Sequence, residues 1–226
     1  MKLHINIHSY QRKGMLESLI KEIKDFQAKE IHEVSFSIID DGSDFTSSNK
    51  CFHQLPHGGK SNFWKLFDYS LKLCKNIDAD IYLFIPSDVS HIQFENIFKY
   101  HNKYKGFGRT LEAYCYNVTN DGRVKCWGNK RMTVHDEYSF RSYFTDCGFF
   151  CPRLTLEKLD FTIHPVEQCR FKMNPNISSG VGQQMTTRLN NLKVKMFIPK
   201  KSLCFHGDHD SLMHFEHRKK VPLLSK

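Results

Sequence analysis

The alternation of strand-like and helix-like segments at the start of the chain constrains its fold more than any other feature. LHINIH, residues 3–8, has the character of a short buried strand, and MLESLIKEIKDFQ, residues 15–27, places apolar side chains at helical spacing. VSFSIID, residues 34–40, is a second strand that runs into the turn DDGSD. Because strand, helix and strand in succession form a parallel β-α-β unit, the sequence predicts an α/β fold.

This alternation continues to about residue 100. Residues 62–75 and 95–104 are amphipathic helices, and ADIYLFIP, residues 79–86, is a third strand. Two strands end in acids, at Asp40-Asp41 and at Ser87-Asp88. Since ligands of open α/β sheets bind beyond the carboxyl ends of the strands, we expect these two ends to lie near each other and to form a site.

The second half is less regular. Asn120-Asp121-Gly122 predicts a hairpin turn between 111–118 and 123–129, residues 138–153 are strand-like, 154–161 and 181–192 are helical, and 194–199 is a last strand. No segment has the Gly, Pro or Ser content of a linker. The sequence therefore predicts one domain, 1–226, with a nucleotide-binding half up to about residue 105 and an acceptor-binding half after it.

Charge and cysteine usage restrict the partners and the compartment. The net charge of +9 and pI near 9.1 favour polyanionic partners such as nucleic acid, a membrane surface or phosphorylated small molecules. The N-terminus has no apolar core of a signal peptide, and the longest apolar run, IYLFI, is too short to span a membrane. Eight cysteines without a CxxC pair are typical of reduced thiols, so we expect a cytoplasmic protein.

Several segments together resemble the GT-A glycosyltransferases, in particular their family-2-like branch. INIHSYQRKGMLESLIKEI is similar to the opening strand, loop and helix of that family, and FSIIDDGSDFT to its DDGS turn. HGGKSNFWKLFDYSLKLC, IYLFIPSDVS, TDCGFFCPR and SLCFHGDHDS follow in the family's order. The resemblance implies a Rossmann-like nucleotide-sugar-binding sheet followed by an irregular acceptor-side half. It also implies metal-dependent, inverting transfer of a sugar from a nucleotide-sugar donor, with UDP as the expected nucleotide.

The resemblance also assigns site residues. Ser87 stands where many relatives have the first Asp of their metal motif, so Asp88 is expected to bind the metal with His206 from the C-terminal segment. Carboxylate with imidazole suits Mn²⁺ better than Mg²⁺. Asp146 is the expected general base, with Asp136 and Glu137 as the next candidates. The nucleotide sugar is expected to contact seven residues: Ser9, Tyr10, Arg12, Asp40, Asp41, Lys60 and Ser87.

Each assignment has a structural alternative. Asp40 and Asp41 can serve the turn alone, Asp88 can be a helix N-cap, and Asp146 can be paired with an arginine. The arginine beside Asp146 would be Arg141 or Arg153. Arg12 and Lys60 can be solvated cations. In the C-terminal segment a zinc site can form instead, from His206, Asp208, His209 and Asp210.

The acceptor remains open between two classes. The net charge and the aromatic-rich second half favour DNA, for example a hydroxymethylated base that is flipped out of the duplex. A lipopolysaccharide or capsular glycan near an anionic membrane is the alternative. From other classes, a metal-dependent phosphohydrolase or nuclease would use Asp88 and the histidines, and a non-catalytic DNA-binding module would explain the charge but not the acids at the strand ends.

Overall fold

Eleven strands and five helices form the part of the chain that the structure describes. The computed structural model describes residues 1–46, 50–105, 113–119, 133–135, 138–140, 148–167, 179–199 and 201–206. The strands are β1 (Lys2–Ser9), β2 (Glu33–Asp40), β3 (Phe52–Gln54), β4 (Ile81–Pro86), β5 (Val89–Ser90), β6 (Tyr114–Asn117), β7 (Thr133–His135), β8 (Tyr138–Phe140), β9 (Phe149–Pro152), β10 (Lys195–Pro199) and β11 (Phe205–His206). The helices are α1 (Lys13–Gln27), α2 (Gly59–Cys74), α3 (Phe94–Lys105), α4 (Arg153–Lys158) and α5 (Val181–Asn191).

One mixed sheet organises these elements. Its strand order is β3-β2-β1-β4-β9-β6-β10-β8-β7. The first four strands are parallel to one another, as the predicted β-α-β units require. β9 then lies antiparallel between β4 and β6, and β10 runs parallel to β6. A separate two-stranded ribbon joins β11 to β5.

Both faces of the sheet are covered. On one face Leu3, Ile5 and Ile7 of β1 pack in a core that includes buried residues of α1 and α3. The helical spacing of α1 explains its side of this contact, because Leu16 and Ile23 fall on one stripe of the helix. The opposite face packs against α2, α4 and α5, with the buried side chains of Phe67, Leu71, Tyr82, Phe84, Phe149, Leu156, Met185 and Leu189.

β1 carries polar residues into this second face. His4, Asn6 and His8 alternate with the apolar residues, yet all three are buried. The ring nitrogen Nδ1 of His4 lies 2.9 Å from Ser35 Oγ, and Nε2 of His8 lies 3.0 Å from Ser70 Oγ. Burial lowers the pKa of His4 and of His8 to about 4, so both rings are neutral near pH 7.

The second half agrees with the sequence only in part where the structure describes it. The predicted strand 194–199 is β10, and the predicted helices 154–161 and 181–192 are α4 and α5. The first arm of the predicted hairpin contains β6, whose sheet neighbours are β9 and β10. The turn and the second arm of that hairpin, 120–129, lie outside the described residues. The five cysteines of the described ranges are all free thiols, in agreement with the expectation of reduced cysteines.

Candidate functional site

The carboxyl ends of three parallel strands meet at one edge of the sheet. β1 lies between β2 and β4, with Ser9 opposite Asp40 in the register of β1 and β2. On the other side, the backbone N–H of Ser87 donates a hydrogen bond to the carbonyl of His8 at 2.8 Å. The two acidic strand ends therefore flank the end of β1, which confirms the expectation that they lie close together.

Asp88 lies at this edge between an arginine and a histidine. Its Oδ2 forms an ion pair with Nη1 of Arg12, and its Oδ1 lies 3.5 Å from Nε2 of His206. The side chains of Asp88 and Arg12 are 10% and 13% exposed, whereas that of His206 is 39% exposed. His206 reaches Asp88 because β11 pairs with β5 so that His206 lies opposite Val89. The fold thus brings together the two residues predicted as metal ligands.

The free oxygen of Asp88 has the character of a cation ligand. Oδ1 is buried and accepts no hydrogen bond within the described part of the chain, although an anionic oxygen loses much solvation energy on burial. The 3.5 Å separation from His206 exceeds an ordinary N–H···O hydrogen bond. Within the described ranges no group of three His, Cys, Asp or Glu side chains could hold a metal. Asp88 and His206 could therefore supply only two ligands of a divalent cation, and the remaining ligands would have to be oxygen atoms of a bound molecule such as a phosphate.

The structural alternatives for Asp88 and for Arg12 are both wrong. Asp88 is not a helix N-cap, because β5 follows it directly and α3 begins only at Phe94. Arg12 is not a solvated surface cation, because its side chain is largely buried against Asp88. Burial lowers the pKa of Arg12, but the guanidinium group remains charged near neutral pH.

Asp40 stabilises the DDGS turn. Its Oδ1 accepts the backbone N–H of Ser43 and its Oδ2 accepts the hydroxyl of the same residue, both at 2.7 Å. Ser43 Oγ in turn accepts the backbone N–H of Gln11 at 2.7 Å and so connects the turn to the loop after β1. Asp40 is completely buried. These contacts agree with the turn alternative for this residue.

Asp41 points instead towards the start of α2. Its Oδ1 accepts the backbone N–H of Gly58 at 2.8 Å, and its Oδ2 accepts that of Gly59 at 3.0 Å. The helix has no side-chain cap of its own, so this carboxylate satisfies N–H groups that the first turn leaves without partners. Gly42 permits the approach, since its φ is +74° and a Cβ there would lie 2.6 Å from the backbone nitrogen of His57.

An aromatic pair lies beside Asp41. The rings of Tyr10 and His57 stack with centroids 4.5 Å apart and planes 13° apart. His57 Nδ1 lies 2.9 Å from the carbonyl oxygen of Asp41 and 3.2 Å from its Oδ2. The side chain of His57 is 49% exposed. A ring-shaped ligand at this edge would therefore meet an aromatic face and a carboxylate in adjacent positions.

The other predicted donor-binding residues lie at the same edge. Ser9 ends β1 and is buried, and its Oγ has no hydrogen-bond partner among the described residues. Ser87 follows β4 and is also buried. Lys60 lies in the first turn of α2 and is partly buried. A buried hydroxyl without a partner is unusual in proteins, which makes Ser9 a candidate ligand contact.

The structure describes only part of the predicted acceptor side. Asp146, Asp136 and Glu137 lie outside the described residues. β9 runs antiparallel to β4, with Phe149 opposite Phe84, so the chain enters β9 at the carboxyl end of β4. Gly148 lies there with a φ of +136°, and a Cβ on it would lie 2.7 Å from Val118 Cγ2. Only glycine fits at position 148, where the chain enters β9 two residues after Asp146.

The two remaining alternatives have the following outcomes. Asp208, His209 and Asp210 of the zinc hypothesis lie outside the described residues, and His206 itself faces Asp88. Arg153, one proposed partner of Asp146, forms an ion pair with Glu157 through its Nε at 3.0 Å.

A cavity of about 560 Å³ adjoins this edge along α2. Apolar walls from Leu55 and Leu66 alternate with aromatic, acidic and cationic side chains. Those that bear on ligand chemistry are Asp41, His57, Trp64, Lys65, Tyr69 and Lys72. Aromatic faces beside a few polar groups are typical of pockets for small organic ligands.

The segment HGGK resembles the glycine-containing loop of the family, but His57, Gly58 and Gly59 were not predicted as individual contacts. The signal was present in HGGK, because two glycines before a helix provide backbone N–H groups that an anion can approach. The partner of those N–H groups could not be predicted from the sequence, since Asp41 directly follows β2 and is distant from α2 along the chain.

Comparison with known proteins defines the class of fold. No protein-family model matches the sequence, and no curated protein matches it either. A mutant of Drosophila β-1,4-galactosyltransferase 7, solved with manganese, UDP-Gal and xylobiose, has a TM-score of 0.51 at 8% identity, over 91% of this chain and 70% of that chain. The chain therefore has the GT-A fold that the sequence predicts.

Two further solved structures are similar at lower scores. A CMP:2-keto-3-deoxy-manno-octonic acid synthetase complexed with CTP has a TM-score of 0.45 at 11% identity, over 88% of this chain and 89% of that chain. A glycosyltransferase involved in glycosylation of the major capsid of PBCV-1 has a TM-score of 0.36 at 9% identity, over 71% of this chain and 64% of that chain. Among the described residues no helix has the length and apolar character needed to cross a membrane.

Proposed function

We propose that this protein is a divalent-cation-dependent glycosyltransferase that transfers a sugar from a nucleotide-sugar donor, with UDP as the preferred nucleotide. The observation that carries the proposal is the buried Asp88 carboxylate at the carboxyl edge of a GT-A sheet. One of its oxygens pairs with Arg12 and the other faces His206 without a hydrogen bond. The solved galactosyltransferase of the same fold, which contains manganese and UDP-Gal, supports the choice of donor and ion.

Asp88 and His206 would hold the cation, with Mn²⁺ favoured over Mg²⁺ because one ligand is an imidazole. When bound, the ion would neutralise the charge that develops on the leaving diphosphate. Two protein ligands leave most coordination positions to the diphosphate, so cation and nucleotide should bind cooperatively. Arg12 holds the second oxygen of Asp88 and therefore orients the first towards His206.

The base and ribose of the donor would bind on the opposite side of β1. Tyr10 offers an aromatic face and Asp41 an acceptor for a base N–H or a ribose hydroxyl. Ser9 and Ser87 line the strand ends between this subsite and Asp88. Lys60, in the first turn of α2, is the candidate for a second phosphate contact.

The acceptor hydroxyl would attack C1 of the sugar from the face opposite the diphosphate. In an inverting reaction one carboxylate removes the proton of that hydroxyl as the new bond forms and the bond to the diphosphate breaks. Asp146 is the residue that we assign to this step, because it precedes Gly148 at the entry to β9 on the site edge.

DNA is the acceptor that we favour. The net charge of +9 supports a polyanionic acceptor, and a hydroxymethylated base would supply the hydroxyl group. The test is duplex affinity at several salt concentrations, since each neutralised phosphate adds about 0.9 to the negative slope of log affinity against log salt. A flat response, together with binding to anionic membranes, would favour a glycan acceptor instead.

The donor reaction is tested by incubating the protein with a panel of nucleotide sugars, with and without Mn²⁺, and measuring released nucleoside diphosphate. Asp88→Ala and His206→Ala should each abolish Mn²⁺-dependent release and weaken Mn²⁺ binding measured by electron paramagnetic resonance. Asp78→Ala is the matched control, because Asp78 is exposed and pairs with Lys2 at the opposite edge of the sheet. Wild-type release by both Asp88→Ala and His206→Ala would refute the proposal, and so would the absence of release with every donor.

A further inference from the structure

His57 presents a ring and a proton donor to the residues that are proposed to bind the nucleobase. Its imidazole stacks on Tyr10 with a centroid distance of 4.5 Å and an angle of 13° between the planes. Its Nδ1 faces two acceptors of Asp41, the carbonyl oxygen at 2.9 Å and Oδ2 at 3.2 Å. Because both neighbours can only accept, Nδ1 carries the proton and acts as a donor.

A nucleobase would use the same two contacts. Uracil, thymine and guanine each have a planar ring with a ring N–H that can donate to a carboxylate, whereas cytosine and adenine present an unprotonated nitrogen at the corresponding edge. Tyr10 can stack one ring on this face, and Asp41 Oδ2 already accepts from both Gly59 and His57. His57 and an incoming base of the first kind therefore require the same position.

We propose that His57 occupies the nucleobase position in the absence of donor and that a base with a ring N–H displaces it. This inference rests on the proposed donor-binding function and deepens it, because it restricts the donor to uridine, thymidine or guanosine nucleotides. Asp41 thus selects the base, and His57 is the side chain that an incoming nucleotide must displace.

The local structure permits this exchange without unfolding the loop. The backbone N–H groups of Gly58 and Gly59 hold Asp41 independently of the imidazole. The His57 side chain is 49% exposed, so it can change rotamer without disturbing the core. His57 also lines the cavity along α2, which offers space for the displaced ring.

The exchange lowers the apparent affinity for nucleotide. When a side chain of the protein occupies the binding position, only the molecules with an open position can bind. The apparent affinity is then the intrinsic affinity multiplied by the fraction of open molecules. The stacking of His57 on Tyr10 favours the occupied position, and a stacked pair of ordinary strength lowers the fraction of open molecules about 2- to 10-fold. Removal of the imidazole should therefore tighten binding by this factor.

The test is calorimetric titration of UMP, dTMP, GMP, CMP and AMP into the full chain and into His57→Ala. We expect His57→Ala to bind UMP about 2- to 10-fold more tightly than the wild type, and UMP to bind more tightly than CMP in both proteins. His53→Ala is the matched control, because His53 contacts Tyr69 rather than Tyr10 or Asp41, and it should bind UMP like the wild type.

The outcomes separate this inference from the proposed function. If the wild type binds UMP and His57→Ala binds it equally well or more weakly, His57 is a fixed part of the site and the displacement proposal is wrong. Tighter binding of CMP than of UMP would overturn the restriction on the base. If neither protein binds any of the five nucleotides, the proposed donor function fails, and the displacement proposal fails with it.

Discussion

Acidification should destabilise this protein through the two buried histidines of β1. His4 and His8 have pKa values of about 4 in the folded chain because burial disfavours the charged ring. In the unfolded chain a histidine titrates near its ordinary pKa of about 6.5. Below that value the unfolded state binds more protons than the folded state, so the free energy of unfolding falls as the pH falls from about 6.5 to about 4.

The magnitude follows from these pKa values. Between pH 7 and pH 5 each histidine removes about 2 kcal/mol from the free energy of unfolding. The two together remove about 4 kcal/mol, a large part of the 5–15 kcal/mol that is usual for a domain. Burial raises the pKa of the Asp68 carboxyl, but hydrogen bonds with Lys72, Thr162 and Ile163 outweigh burial and lower this pKa overall. The contribution of Asp68 to stability is therefore lost only at lower pH. The loss between pH 7 and pH 5 therefore reports on the histidines.

Urea unfolding at pH 7, 6 and 5 measures this loss. His4→Gln and His8→Gln will each lower stability at pH 7, because each changes a packed hydrogen-bonded residue. The informative quantity is the difference between pH 7 and pH 5, which each variant should reduce to about half of the wild-type value. His53→Ala is the control, because His53 lies in β3 rather than β1 and is only partly buried. An equal difference in all four proteins would refute the reasoning.

Three further outcomes are expected. Asp146→Asn should lower the turnover rate, measured by nucleoside diphosphate release, by about 10²- to 10⁴-fold. Donor binding, measured by titration of UDP, should persist. Unchanged turnover would indicate that Asp136 or Glu137 is the base. Gly42→Ala should lower the free energy of unfolding by about 2 kcal/mol or more, because alanine disfavours the φ of +74° and its Cβ would meet the backbone of His57; Gly14→Ala, where a Cβ meets no atom within 4 Å, is the control. Duplex DNA should bind with a steep negative salt dependence, and a salt-independent affinity would exclude phosphate contacts.

Local patterns in the sequence predict the first half of the fold. The helical spacing of residues 15–27 and the apolar strands on either side depend on neighbours a few residues apart, and they correspond to α1, β1 and β2. The positions of the acids at strand ends also follow from local order, since parallel strands place their carboxyl ends at one edge. β3, β5, β7 and β11 were not predicted, because two or three residues carry no period and pair only where a neighbouring strand is available.

The roles of individual polar residues depended on tertiary contacts. LHINIH was predicted as a buried strand, and helices do cover both faces of β1, but only the tertiary contacts show that His4 and His8 are buried beside Ser35 and Ser70. Asp40 and Asp41 are adjacent and chemically identical, but one bonds Ser43 within its own turn and the other bonds the start of α2.

The class of fold, the sheet edge of the candidate site and the candidate ligands Asp88 and His206 could all be predicted from the sequence. Three contacts became visible only in the folded chain: Arg12 pairs with Asp88, β11 brings His206 beside Asp88, and the imidazole of His57 lies on Tyr10. The difference arises from the range of the interactions. Helix and strand patterns are set by side chains within one or two turns, whereas ion pairs and ring stacks join residues that are distant in sequence and become neighbours only when the sheet forms.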